Sequence, residues 1–440
     1  MRFAVETHGC RLNQAETDAL VAQLEARGHE RVGVEQAELY LLNSCAITHE
    51  ADADARAAIR RARRKNPSAR LVITGCHANA EPDQLAAMPE LAAVLGNGEK
   101  QGLALLDRLD AIAEPSAVEK LIAVEQLTRR VRARAWSHPA AATPGRSRPL
   151  LKIQDGCDYQ CSFCIVPQVR GRSRSVAPEQ VLAQLQQQVA AGAAEVVLTG
   201  AHLGLWGREL GGGSRLADLL ERLLAEVPEA RLRLGSVDPH EVDEPLIGLL
   251  GRGVDEHGRG LCQHIHLPIQ AGDDGVLRAM RRAHTVADLE RLVPRLRAAA
   301  PGIALGTDVI VGFPGESDEA FERTLALFEA QAIPLAHVFV WSPRSGVPAI
   351  DLPGRVSAST AAQRSRALRQ RVAASRAQFI GAQIGTERSA VILRRRARRS
   401  GALVALTDNY LKLEVTGPDA LLGRRVRVEV ESPSAGRLRL

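Results

Sequence analysis

The chain has 440 residues, 45% of them hydrophobic and 25% charged, with a formal net charge of +6, enough for about three domains with cores of ordinary size. No run of eighteen apolar residues occurs, which excludes a transmembrane helix, and the start MRFAVETHGC lacks the basic and apolar pattern of a signal peptide. A cytoplasmic protein is expected, its seven cysteines serving as reduced thiols or metal ligands rather than disulfides.

The first hundred residues alternate strand and helix. RFAVETHG (2–9) precedes a helical stretch at 14–27, LYLLNS (39–44) precedes an Ala/Arg-rich helix at 51–65, and RLVITG (70–75) precedes a third helical segment. This is the rhythm of an open parallel sheet. Cys10, Cys45 and Cys76 each follow one of these strands. The carboxyl ends of parallel strands lie along one edge, where ligands bind, so three thiols distant in sequence are expected to meet.

Residues 113–149 break the rhythm, and the Pro/Ala-rich HPAAATPGRSRP (138–149) reads as linker. Strands are then expected at 150–156, 195–201, 231–237, 263–269, 304–311 and 335–341, with helices between most of them. Six such units are too few for a closed eight-stranded barrel and suit an incomplete (β/α)6 barrel. A basic amphipathic helix is expected at 357–380, capped at Thr360 with Gln363. Beyond it, SAVIL, LVALT, YLKLEVT and RRVRVEV suggest a small β-barrel. The resulting division is a domain at 1–112, a linker at 113–142, a core at 143–380 and a C-terminal domain at 381–440. Residues 381–440 carry 12 Lys+Arg against 6 Asp+Glu, so the entire excess charge sits there. Such a concentration suits a polyanion such as nucleic acid.

The stretch DGCDYQCSFCIVP (155–167) places Cys157, Cys161 and Cys164 in a C-x3-C-x2-C pattern after the first core strand. Zinc sites generally take four ligands, and a redox dithiol takes two. Three thiolates fit a cubane iron–sulfur cluster with one iron open to a chelating molecule. Cys262 lies outside every motif and reads as a small core residue. GFPGE (312–316) is no phosphate loop, since no G-K-[ST] follows.

CDYQCSFC, with Phe163 before its last cysteine, resembles the cluster motif of radical S-adenosylmethionine (SAM) enzymes. THGCRLNQAETDAL (7–20), NSCAIT (43–48), VITGCHA (72–78), KIQDGCDYQCSFCIVPQVRGRSRS (152–175), LTGAHLG (198–204), HLPIQAGDD (266–274), TDVIVGFPGES (307–317) and LTDNYLKLEV (406–415) together resemble the methylthiotransferase family, in family order and over nearly the full length. The resemblance implies a [4Fe–4S] cluster on Cys157, Cys161 and Cys164 whose open iron chelates SAM. It implies an auxiliary [4Fe–4S] cluster on Cys10, Cys45 and Cys76 that carries or donates sulfur. One SAM would methylate that sulfur and a second would supply the radical that activates the substrate. SAM contacts are implied at Phe163, Gly200, Ser236, Asp238, Gln270 and Val309. Tyr159, His202, Ala271 and Trp341 depart from the residues usual at their positions.

The basic C-terminal domain resembles the RNA-binding TRAM module, with Arg395 and Arg396 as RNA contacts. Implied partners are tRNA, through its anticodon stem-loop, an electron donor such as flavodoxin or ferredoxin, and a sulfur donor. KIQDGC and RGRSRS resemble the branch acting on N6-threonylcarbamoyladenosine, and Arg170, Arg172 and Arg174 would offer a fork to the carboxylate of that base. Alternative readings are methylthiolation of N6-isopentenyladenosine or of a ribosomal protein residue, and an RNA-binding iron–sulfur sensor without catalysis.

Overall fold

The computed structural model of the chain describes residues 1–46, 49–100, 103–113, 120–124 and 146–439. Most of the expected linker lies outside these residues. The first sheet contains β1 (Arg2–Thr7), β2 (Glu30–Arg31), β3 (Leu39–Ser44), β4 (Arg70–Gly75), β5 (Ala93–Leu95) and β6 (Leu121–Ala123), all parallel, in spatial order β2-β1-β3-β4-β5-β6. LYLLNS is apolar on both faces because both are covered. Tyr40 and Leu42 enter one apolar layer, and Leu39 and Leu41 enter the other. β1 lies between β2 and β3, so the winding reverses there and the ends of β1 and β3 open a crevice. The pairings Thr7↔Asn43 and Ser44↔Gly75 bring the ends of β1, β3 and β4 level.

The domain extends past the expected boundary at 112. β6 falls within the stretch read as linker and pairs with β5 through Ala93↔Leu121. Three residues carry no period to read; only the free edge of β5 selects them.

The second domain begins with β7 (Leu150–Lys152). A short antiparallel ribbon, β8 (Gln154–Asp155) with β9 (Arg174–Ser175), closes the base of the cysteine loop. β10 (Val196–Thr199), β11 (Arg231–Leu234), β12 (Gly260–Leu261), β13 (His264–His266), β14 (Ala304–Val311) and β15 (Leu335–Val340) follow. They form two parallel sheets, β12-β11-β10-β7 and β13-β14-β15, joined by the bridge Ser236↔His266. The result is an open six-stranded barrel with β12 as an additional short strand. The first helix of the chain, α1 (Arg11–Ala26), packs against β7, and the Ala358–Gly381 helix packs against β15. Both open edges are thereby covered. The cap of the Ala358–Gly381 helix is Ser357, whose hydroxyl accepts from the Thr360 N–H at 3.1 Å. Thr360, expected as the cap, is already within the first turn.

The last domain is a curled antiparallel sheet of β16 (Glu387–Arg396), β17 (Leu403–Thr407), β18 (Lys412–Val415), β19 (Arg425–Val430) and β20 (Gly436–Arg439), in order β18-β17-β16-β19-β20. It closes toward a barrel where the Glu414 N–H donates to Ser434 O at 2.7 Å.

This barrel is docked to the core by buried charge. In the RLRL of β11, Leu232 and Leu234 enter the core's apolar layer, while Arg231 and Arg233 alternate to the other side. Arg231, Arg233 and Glu195 are all fully buried, and Glu195 accepts from Arg233 Nε at 2.7 Å and from Arg231 Nε at 3.0 Å. The remaining guanidinium donors reach the last domain, Arg231 to Ser389 Oγ (2.7 Å) and Arg233 to the carbonyls of Thr407 (2.9 Å) and Asp408 (2.8 Å). Burial alone would raise the Glu195 pKa, but the charges of Arg233, Arg148 and Arg231 hold it well below the ordinary carboxylate range. Removing one member of such a cluster strands the others, at a cost of about 3–5 kcal/mol. Glu195→Ala is therefore expected to lower the unfolding midpoint by that equivalent, measured anaerobically by denaturant titration, and an unchanged midpoint would contradict the docking role. The depressed pKa also means that the contribution is complete above the ordinary carboxylate pKa and is lost only as pH falls through the lower folded value.

Candidate active site

Cys10, Cys45 and Cys76 stand just past the ends of β1, β3 and β4 and line one cavity. Cys10 is exposed and caps α1 in extended conformation; Cys45 and Cys76 are buried. Two glycines let the loops converge. A Cβ on Gly9 (φ +111) would stand 2.4 Å from Cys45 Cβ, and one on Gly75 (φ +103) would stand 2.3 Å from Ser44 O. Two asparagines then lock them. Asn13 Nδ2 donates to His8 O and Ser44 O, each at 3.0 Å, tying the first two cysteine loops together. Asn97 Nδ2 lies 3.8 Å from Cys76 Sγ and donates to Val169 O at 2.7 Å. Val169 belongs to the Val166–Arg170 helix that follows Cys164.

The loop bearing Cys157, Cys161 and Cys164 is held from several sides. Cys157 N–H donates to Gly171 O at 3.0 Å, and Ser162 bonds the carbonyls of Met280 (3.0 Å) and Ala279 (2.7 Å) through its N–H and hydroxyl. Phe163 packs edge-to-face on Phe313, and Phe313 on Trp341. Cys157 Sγ lies 3.2 Å from His202 Nδ1, and Arg282 Nη1 donates to Cys161 Sγ at 3.3 Å. Burial pushes the Cys157 thiol far up and the Cys164 thiol to about 12, and the neighbouring cysteines add to both shifts. Three thiols on one short loop, two of them raised by burial, suit iron ligation, which supplies the positive charge that burial withholds. The donor set fits a [4Fe–4S] cluster with three protein ligands.

The residues expected to contact SAM are dispersed. Gly200 and Ser236 line the cavity, with Ser236 Oγ 2.9 Å from His266 Nδ1. Gln270 (φ +72) pairs with Val309 in an isolated parallel bridge, and the Val309 side chain lies in the main apolar core. Asp238 is buried, with Arg282 Nη2 at 2.5 Å and His240 and His284 nitrogens at 3.3 and 3.4 Å. Burial would raise its pKa, but hydrogen bonds from both histidines and the Arg282 charge hold it far below the usual range. Arg282 thus bridges Cys161 and Asp238. No local pattern in MRRAHT marks this role; only the barrel brings residue 282 to the loop.

The three arginines expected to offer a carboxylate fork do not form one. Arg170 is buried and already saturated: Nη1 donates to Glu16 (2.8 Å) and Asp155 (3.0 Å), and Nη2 to Asn13 Oδ1 (2.6 Å). Lys152 Nζ also reaches Glu16 (2.6 Å) and Asp155 (2.9 Å), and Lys100 Nζ reaches Glu16 at 2.9 Å. Arg174 turns to Asp155 at 3.4 Å, and exposed Arg172 pairs with Asp158 at 3.2 Å. The run RGRSRS is apportioned to acids of the protein because the ribbon of β8 and β9 faces them. In the last domain Arg395 is exposed at the end of β16, and Arg396 bonds Asp419 at 3.0 Å.

All three domains wall the cavity, whose volume is about 960 Å³. The first contributes the cysteines and Arg11, the barrel contributes Gly200, His266 and Asp308, and the last contributes Tyr410 and Lys412. Arg11 Nη2 donates to the Tyr410 hydroxyl at 2.8 Å. Among the described residues no helix is long and apolar enough to cross a membrane.

Residues 2–96 match the "Uncharacterized protein family UPF0004" and residues 151–328 the "Radical SAM superfamily". The chain is 35% identical to a threonylcarbamoyladenosine tRNA methylthiotransferase MtaB of Rickettsia prowazekii, over 84% of this chain and 82% of the relative. It is 33% identical to the protein of the same name in Bacillus subtilis, over 97% and 93%. It is 30% identical to a tRNA-2-methylthio-N(6)-dimethylallyladenosine synthase of Jannaschia, over 98% and 91%. Among solved structures, it is similar in fold to the radical S-adenosylmethionine methyltransferase TsrM of Kitasatospora setae with cobalamin and a [4Fe–4S] cluster bound. That likeness has a TM-score of 0.57 and 17% identity over 79% of this chain and 77% of the other. Family matches on both sides of the cavity, and identities of this size over most of each relative, mean that the chain belongs to the radical SAM tRNA methylthiotransferases, enzymes that use SAM and a [4Fe–4S] cluster.

Proposed function

We propose that the protein adds a methylthio group to carbon 2 of N6-threonylcarbamoyladenosine next to the anticodon of tRNA, using a second [4Fe–4S] cluster on Cys10, Cys45 and Cys76. The observation that carries this reading is the shared cavity, on which the three N-terminal cysteines and the ends of the barrel strands both open. A carbon–hydrogen bond on an aromatic ring offers no acid–base route, so the bound cofactors supply hydrogen abstraction and sulfur while the protein orients them.

The chain's own residues do the orienting. Arg282 offsets negative charge at Cys161 and fixes Asp238 beside the loop. Phe163, Phe313 and Trp341 keep water from one side of it. At Gly200 a Cβ would lie 2.8 Å from Gln154 Oε1, so the absent side chain leaves the strand end open. Asn97, bonded to Val169 beside Cys76, holds the two cysteine sets in a fixed relation. The threonylcarbamoyl substrate is supported by the names of the relatives in Rickettsia prowazekii and Bacillus subtilis. A one-electron donor of the flavodoxin or ferredoxin kind and a sulfur donor complete the reaction. The direct test is expression in a bacterial host without its own methylthiotransferases. Digested tRNA is expected to contain 2-methylthio-N6-threonylcarbamoyladenosine; a methylthio product on isopentenyladenosine alone would overturn the substrate.

The two cysteine sets are expected to be separable. Alanine at Cys157, Cys161 and Cys164 should leave about half the iron of the reconstituted protein and abolish SAM cleavage. Alanine at Cys10, Cys45 and Cys76 should leave SAM cleavage and stop methylthio transfer. Wild-type protein that binds iron for one cluster only, after anaerobic reconstitution, would refute the pairing.

The exposed arginines of the last domain are expected to bind tRNA phosphates. Because that domain walls the cavity and covers Arg231 and Arg233, its deletion would disturb the site itself, and surface substitution is the cleaner test. Arg395→Gln, Arg398→Gln and Arg399→Gln together should weaken tRNA binding and reduce the slope of log affinity against log salt by about one unit per lost contact. Iron content should not change. Equal affinity and slope in the triple variant would exclude these contacts.

A further inference from the structure

With Arg170 consumed by Glu16 and Asp155, the charge left on the cavity wall becomes informative. Five Lys or Arg residues line the cavity, Arg11, Arg170, Arg369, Arg376 and Lys412, against a single carboxylate, Asp308. Asp308 is itself 3.3 Å from His266. Among the described residues, no acid pairs with Arg11, Arg369, Arg376 or Lys412. Arg11 bonds the neutral Tyr410 hydroxyl and Arg369 the Val338 carbonyl, both at 2.8 Å. On other faces of the same helix, Arg364 and Arg371 are matched by Glu316 (2.7 Å) and Glu329 (2.9 Å). Arg369 and Arg376 are two helical turns apart, on the face that carries Val372 and Ala373 into the cavity. Lys412 approaches from β18, and Phe339, 44% exposed, presents an apolar ring to the same space.

Adenine C2 and the N6 substituent flank N1 on one edge of the base. When C2 meets sulfur at the cysteines, the N6 side chain must lie in the same cavity. We propose that Arg376 and Lys412, supported by Arg11 and Arg369, form the subsite for the carboxylate of that side chain and set the preference for an acidic N6 group. The proposal rests on the threonylcarbamoyl reading above. An unmatched cation in a partly enclosed cavity gains most from a charged partner. A neutral isopentenyl group leaves that gain unrealised and leaves the cations facing apolar atoms. Phe339 offers the flipped base an aromatic face.

The test uses the full-length reconstituted enzyme and synthetic anticodon stem-loops bearing N6-threonylcarbamoyladenosine, its methyl ester, N6-isopentenyladenosine or unmodified adenosine. Wild-type enzyme is expected to prefer the acid to the ester. In Arg376→Gln and Lys412→Gln, kcat/KM on the acid should fall about tenfold to a hundredfold, mainly through KM. The ester should be nearly unaffected, so the preference collapses, while Arg376→Lys retains part of it. Binding of the unmodified stem-loop should not change. If the variants weaken acid, ester and unmodified loops alike, the cations contact phosphates and the proposal falls. It also falls if the wild type turns over acid and ester equally. A wild type that modifies an isopentenyladenosine loop but not the threonylcarbamoyl one marks failure of the substrate reading itself, and the subsite falls with it.

Discussion

The buried cluster of Glu16, Arg170, Asp155, Lys152 and Lys100 is the constraint on which the rest of the site depends. Glu16 comes from α1, whose cap is Cys10; Lys152 ends β7; Asp155 and Arg170 bracket the loop that carries Cys157, Cys161 and Cys164. Burial would raise the carboxyl of Glu16, yet the charges of Arg170, Lys100 and Lys152 hold it well below its ordinary range. Buried charges tolerate one arrangement and penalise every partial one. The distance between the two cysteine sets is therefore fixed by partners that cannot be released singly, where an apolar contact would permit sliding.

Arg170 extends this constraint into both sets. Its Nη2 bond to Asn13 reaches the residue that ties the Cys10 and Cys45 loops, and its own helix receives the Asn97 bond beside Cys76. The position looks like a substrate contact because arginine runs near a cluster motif suggest anions. Its physical task is to align two domains. The anion-facing charge we propose lies instead on a helix and a strand far later in the chain, which line the same cavity.

The Glu195 cluster does the same for the last domain. Arg231 and Arg233 bond its backbone at Ser389, Thr407 and Asp408, Tyr410 stacks on His264, and Arg11 reaches the Tyr410 hydroxyl. A module that looked from its charge like a tethered RNA grip is thus also a wall of the cavity. The same domain therefore carries both the exposed arginines proposed to hold RNA and Lys412 on the cavity wall.

Local sequence determined the elements and the chemistry. Short apolar runs located β1, β3 and β4 of the first sheet and the six main strands of the barrel, because such runs are short-range properties. Cysteines placed just past parallel strands had to share an edge, since parallel strands end on one side. The motifs carried the family because cluster ligation needs thiols at set spacings. Tertiary structure decided everything that depends on partners distant along the chain. Whether an arginine is a ligand or a strut rests on which acid lies opposite, and Glu16 is 154 residues from Arg170. β6 is a strand only because β5 has an unpaired edge, and RLRL is buried only because another domain accepts its guanidinium protons. Charge and hydrogen bonding act through space, so the sequence shows the groups, and the fold alone shows which of them remain unmatched and face the substrate.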